Sequence, residues 1–226
     1  MGASYRCLVL AYKFLDREGR TLIRAVRWPL PTGDGPGPWL EAAAARPCRE
    51  GIHACRPQDL AYWIHHELWE MELDGDIVEA ERKVVARRGR LIRRVDAWGD
   101  GTGKEFDAWC AWRARDHALS VLGQAGQDEW GQQLADAQTV DELAAVGRRA
   151  AAALGGDTVA GSAAGLAGDT ARLGLTDRIA EAPFIAACAA GHRATCQGGT
   201  RQEFDRAYTA ERTAQSQWIT ARLGLA

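Results

Sequence analysis

Hydrophobic and polar positions change rhythm near Asp100. Before it, apolar residues alternate with polar ones or come in short runs, as strands require; after it they recur at three- and four-residue steps, as helices require. Residues 5–14 are dominated by Leu, Val and aromatic side chains, and Asp16-Arg17-Glu18-Gly19 is a polar turn ending in glycine. In residues 21–28, Leu22, Arg24, Val26 and Trp28 alternate with Ile23, Ala25 and Arg27, which predicts a hairpin with the preceding run. Residues 29–38 carry too much proline and glycine for regular structure and predict a loop with lid character. A short helix over 39–45, a brief strand over 51–55 and a helix over 57–67 opening on Pro57 follow. Strands over 68–73 and 77–85 are expected to meet at an Asp74-Gly75-Asp76 turn, with one more strand over 90–95.

In the second half, Phe106, Trp109, Cys110, Arg113, His117 and Val121 keep helical spacing. Thr139-Val140-Asp141-Glu142 reads as a capping box in which hydroxyl and carboxylate each satisfy an orphan backbone donor. Residues 155–168 are rich in Gly and Ala and suit a flexible connection, with a helix packed closely through small residues as the alternative; helices over 176–191 and 200–223 close the chain. The expected fold class is α+β. Residues 1–100 form a mixed or antiparallel sheet with one or two helices, and residues 101–226 form a helical bundle packed on it.

Composition narrows the functional classes. The 46% hydrophobic and 26% charged content is that of a globular protein, and 28 Lys+Arg against 30 Asp+Glu gives no electrostatic case for nucleic acid or a membrane surface. No stretch reaches the roughly 18 apolar residues of a membrane span, and residues 1–6 lack the pattern of a signal peptide, so a cytoplasmic location is expected. Six scattered cysteines then stay reduced. Only Lys13, Lys83 and Lys104 are lysines, an arginine bias typical of GC-rich bacterial genomes. Nine tryptophans are more informative: Trp28, Trp39, Trp63 and Trp69 flank the 29–38 and 51–67 segments, which points to an aromatic-lined small-molecule pocket near His53.

The densest polar chemistry is Cys48-Arg49-Glu50-Gly51-Ile52-His53-Ala54-Cys55, followed by His65-His66-Glu67. Thiolate and imidazole suit zinc, and His53 and Cys55 share one face if 51–55 is a strand. Small buried thiols and a hydrogen-bonded structural histidine account for the same residues, and no metal ligand is assigned. Cys188, His192 and Cys196 fall on one helical stripe that can offer one ion at most two ligands, so core packing or helix-end chemistry is the expectation there. Walker, Gly-x-Ser-x-Gly and dinucleotide-binding glycine motifs are absent.

The run from Cys48 to Cys55, with Asp59-Leu60-Ala61-Tyr62-Trp63 and Trp69 to Gly75, resembles a family of domains from phages and actinobacteria that brings no activity with it. The same unit is similar, more distantly, to the core of ADP-ribosyltransferases: Gly51, Ile52, Ala54 and Tyr62 fall on matching positions, and His53 stands where that family has a tyrosine. Arg6 and Glu79-Ala80-Glu81 sit where the arginine-specific branch has its arginine and Glu-x-Glu, whereas its Ser-Thr-Ser element is missing. The resemblance implies an enzyme using NAD as cosubstrate. Glu81, Glu79 and His53 are its candidate catalytic residues, and Arg6, Tyr62 and Trp63 its candidate cofactor contacts. A carboxylate such as Glu81 would stabilise the oxocarbenium-like centre formed as nicotinamide leaves, and an aromatic would stack on the ring. Glu79 and Glu81 equally suit the solvated edge of a strand. Two alternatives stand beside it: a non-catalytic binding module whose helical half presents a surface to a protein partner, and a metalloprotein built on His53, Cys55 and His65 or His66.

Overall fold

A computed structural model describes residues 8–33, 35–176, 179–196 and 198–225. The protein is α+β, with an antiparallel sheet in its N-terminal half and helices in its C-terminal half. It divides into two compact units, one running to Asp100 and including residues from Ile219 onward, the other Gly101–Trp218.

The first unit contains β1 (Val9–Leu15), β2 (Leu40–Glu41), β3 (Ile52–Ala54), a 3-10 helix (Pro57–Tyr62), β4 (Glu67–Ala80) and β5 (Lys83–Arg94). Strand order is β1-β4-β5-β2, with β3 also paired to β5 and every pairing antiparallel. Beyond β3, Cys55 exchanges two backbone hydrogen bonds of 2.8 Å with Tyr12 of β1, so the sheet curls until its first strand meets the end of β3. Its core alternates along β4 through Trp69, Met71 and Leu73, and meets Ala11, Leu15, Val84, Ala86 and Leu91 from the neighbouring strands.

Several local expectations are corrected. Residues 21–28 do not pair with β1; the partner of β1 is β4, in a seven-residue register from Val9↔Leu73 to Leu15↔Glu67. The 20–27 segment instead folds on itself through an Arg20↔Arg27 bridge, with Arg24 and Ala25 at φ 72° and 48°. A long apolar partner outweighs nearness in sequence, because its cross-strand pairs bury more surface. The expected helix over 39–45 is replaced by β2: the Trp39 ring is gripped by the Arg88 and Arg90 guanidinium groups of β5, 4.9 and 4.6 Å from its centroid. The 57–67 helix is only the 3-10 turn to Tyr62, since Glu67 is needed to pair with Leu15. Asp74-Gly75-Asp76 is no hairpin turn but an irregularity inside β4, with Gly75 at φ 80°. Glu81-Arg82 makes the actual turn between Ala80 and Lys83, and 90–95 belongs largely to β5.

In the second unit the helices are α1 (Asp100–Gln124), α2 (Asp128–Asp136), α3 (Val140–Leu154), α4 (Val159–Gly174), α5 (Glu181–Cys196) and α6 (Arg201–Leu223), the outer ends of α1 and α6 falling in the first unit. The capping box is formed: Glu142 N donates to Thr139 Oγ1 at 3.2 Å, and Thr139 N to Glu142 Oε2 at 3.3 Å. The segment expected to be flexible is α4. Small residues let it press on α3 so closely that a Cβ on Gly147 would lie 2.6 Å from the Gly168 Cα. Buried Glu211 accepts from Arg113 at 2.5 Å and from His117 Nε2 at 3.2 Å. Among the described residues no helix is long and apolar enough to cross a membrane.

Candidate functional site

A cavity of about 610 Å³ lies within the first unit, and Tyr12, Lys13, Trp28, Cys48, His53 and Lys83 all contribute to its lining. β1 brings Tyr12 and Lys13; the folded-back 20–27 segment brings exposed Leu22, Ile23 and Val26 to one wall; the 48–55 segment supplies another. Gly51 makes that second wall possible. Its φ is 126°, and a Cβ there would come within 2.5 Å of Val85 Cγ1.

Two amines dominate the electrostatics. Lys13 Nζ donates to the His53 carbonyl at 2.6 Å and lies 4.6 Å from the centroid of the Trp28 ring. Burial pulls its pKa down to about 8, against the opposing pull of the neighbouring Cys55. Burial in turn pushes the Cys55 thiol up to about 12, so it stays protonated and donates to the Tyr12 carbonyl at 3.1 Å. Lys83 Nζ sits 3.0 Å from Cys48 Sγ and 5.5 Å from the Trp63 ring centroid. Cys48 itself is held at φ 64°.

His53 is committed on both ring nitrogens. Nδ1 lies 3.0 Å from the Gly51 carbonyl, which can only accept, and Nε2 lies 3.2 Å from the Cys48 N–H, which can only donate. This assigns the proton to Nδ1. Burial lowers the His53 pKa, and the Lys83 and Lys13 charges act in the same direction while the Gly51 bond opposes them. The ring is thus a neutral strut that fixes the Cys48 turn.

Of the residues singled out in the sequence, His53 and Trp63 line the cavity, and Trp63 is fixed by its indole donating to the Arg82 carbonyl at 2.7 Å. Tyr62, Glu79 and Glu81 are not in the lining. Tyr62 faces the Arg82 guanidinium, 4.4 Å from its ring centroid. Glu79 pairs with Arg56 and Glu81 with Arg82, their side chains 77% and 84% exposed at the β4–β5 turn. Arg6 lies outside the described residues. Among the described residues no three His, Cys, Asp or Glu side chains converge as a metal would require. Cys55 turns to Tyr12, while the His65 and His66 rings pack on each other at 4.7 Å. Along α5, Cys196 Sγ meets His192 Nε2 at 3.4 Å, and that nitrogen also lies 3.1 Å from the Val159 carbonyl. Lys13 and Lys83 carry no motif. The one signal for Lys13 was a lone lysine inside the apolar run Leu10-Ala11-Tyr12-Lys13-Phe14-Leu15.

The fold and cavity define an α+β protein whose β-rich unit holds an apolar pocket lined by amines. The chain matches no family model, no curated protein and no solved structure.

Proposed function

We propose that the β-rich unit is a small-molecule-binding module, taking a ligand with an apolar or aromatic body and an acceptor or anionic end. The observation that carries this reading is the imbalance of the cavity lining: Lys13, Arg24, Arg49 and Lys83 against Glu50, the sole carboxylate there among the described residues, and Glu50 is held by Arg46. Trp28, Ile52 and Trp63 supply the apolar walls such a body would need. Use of NAD would require a carboxylate beside the glycosidic bond, and Glu79 and Glu81 stand in ion pairs away from the lining, which favours binding over NAD cleavage. The test is titration with 8-anilinonaphthalene-1-sulfonate, an aromatic anion whose fluorescence rises in apolar surroundings. A saturable one-to-one complex, displaced by decanoate and weakened at least fivefold by Lys83→Glu, is expected. Absence of any saturable complex with either anion overturns the reading, and release of nicotinamide from added NAD would put the NAD-using enzyme in its place.

A further inference from the structure

We propose that Lys13 is a carbonyl-capturing amine, whose Nζ condenses with an aldehyde or ketone group on an apolar ligand in the cavity to give a reversible imine. The proposal rests on the ligand-binding reading above and adds a covalent step to it.

Imine formation needs an amine with an available lone pair, in reach of the ligand and shielded from bulk water. Lys13 Nζ borders the cavity and makes one donor bond, to the His53 carbonyl at 2.6 Å. Among the described residues it has no carboxylate partner. Its remaining neighbours are the Trp28 ring face and the neutral Cys55 thiol, so the ring attraction and one carbonyl bond offset only part of the hydration an ammonium loses on burial. The lowered pKa of Lys13 follows from this setting. Lys83, by contrast, faces the Cys48 sulfur and the Trp63 ring, and Lys104 is exposed on α1.

The chemistry balances without oxidant or reductant. The Nζ lone pair forms a bond to the carbonyl carbon while the C=O π pair moves to oxygen, which takes up a proton. The resulting carbinolamine loses its hydroxyl group and one remaining nitrogen-bound hydrogen as water. One amine and one carbonyl give one imine and one water. A bond to the His53 carbonyl uses an N–H and leaves the lone pair free for attack.

The whole protein is incubated with cinnamaldehyde, an apolar aryl aldehyde, and sodium cyanoborohydride, and the adduct is mapped by peptide mass. With only three lysines in the chain, Lys83 and Lys104 are internal competitors. Lys13 should be modified at least tenfold faster than either, with a rate that climbs with pH towards a midpoint near its pKa of about 8. Lys13→Met should abolish the fast adduct, with folding checked by near-ultraviolet circular dichroism. Cinnamyl alcohol, the same body without a carbonyl, should quench Trp fluorescence and protect wild-type Lys13, a readout that needs no variant. Binding of the alcohol with even labelling of all three lysines would overturn the imine and leave the binding module standing. Neither binding nor preferential labelling would overturn both.

Discussion

Tyr12 and Cys55 exchange a reciprocal pair of backbone hydrogen bonds, each 2.8 Å, between segments 43 residues apart. This bridge sets the next residue of β1, Lys13, against the carbonyl of His53, and it turns the Cys55 side chain into the protein rather than towards a metal. The cavity chemistry is therefore a consequence of how the sheet closes.

The thiols should react in an order set by burial. Cys48 is exposed, whereas Cys55 and Cys110 are buried and their pKa values raised by that burial. Iodoacetamide at pH 8 should alkylate Cys48 first and leave Cys55 and Cys110 intact until denaturant is added, as read by peptide mass. Native-state alkylation of Cys55 at a rate comparable to Cys48 would contradict the bridge.

Gly51→Ala should cost about 2–4 kcal/mol, because φ 126° strains any side chain and the new methyl would meet Val85 at 2.5 Å. Urea unfolding measures it. The same substitution should weaken 8-anilinonaphthalene-1-sulfonate binding, since Gly51 shapes one wall and accepts from His53 Nδ1.

Gly147→Ala probes the helical unit by itself. The Cβ would sit 2.6 Å from Gly168 Cα and 2.8 Å from the Ala164 carbonyl, with backbone rather than a side chain in the way. A loss of about 2–4 kcal/mol is expected in urea, larger than for the same change at Gly123, where nothing lies within 4 Å.

Two buried acids in the helical unit should give opposite pH dependences. Burial raises Asp107 to about 8, and its Oδ1 has no hydrogen-bond partner among the described residues. Between the unfolded carboxyl value, about 4, and about 8 the folded state binds the extra proton, so stability falls as pH rises. Asp107→Asn should remove that slope and stabilise the protein near neutral pH, by thermal unfolding across pH 4–8. For Glu211, burial acts upward but the His117 and Arg113 hydrogen bonds prevail and hold its pKa low. Its contribution is present above the unfolded carboxyl value and lost as pH falls through the folded one. Glu211→Gln should cost about 2–4 kcal/mol at neutral pH by leaving the Arg113 charge uncompensated.

The sequence by itself determined what depends on near neighbours. The change from period two to helical spacing fixed α+β, because the pleat of a strand and the turn of a helix each demand their own repeat of apolar residues. Thr139 and Glu142 announced the start of α3, because capping is settled within four residues. Asp74-Gly75 pointed to a hairpin turn, and of that turn the chain keeps only a positive φ at Gly75. Only the tertiary structure decided that this glycine would interrupt β4 rather than turn the chain, because Ile77 and Val78 beyond it find Ala86 and Val85 to pair with. It likewise decided that β1 would choose β4 over the adjacent 21–28 run, and that Lys13, unremarkable as a letter between tyrosine and phenylalanine, would have its amine against the carbonyl of a residue 40 positions away. Pairing and burial are settled by which distant surfaces exclude the most water, and no local pattern records that choice.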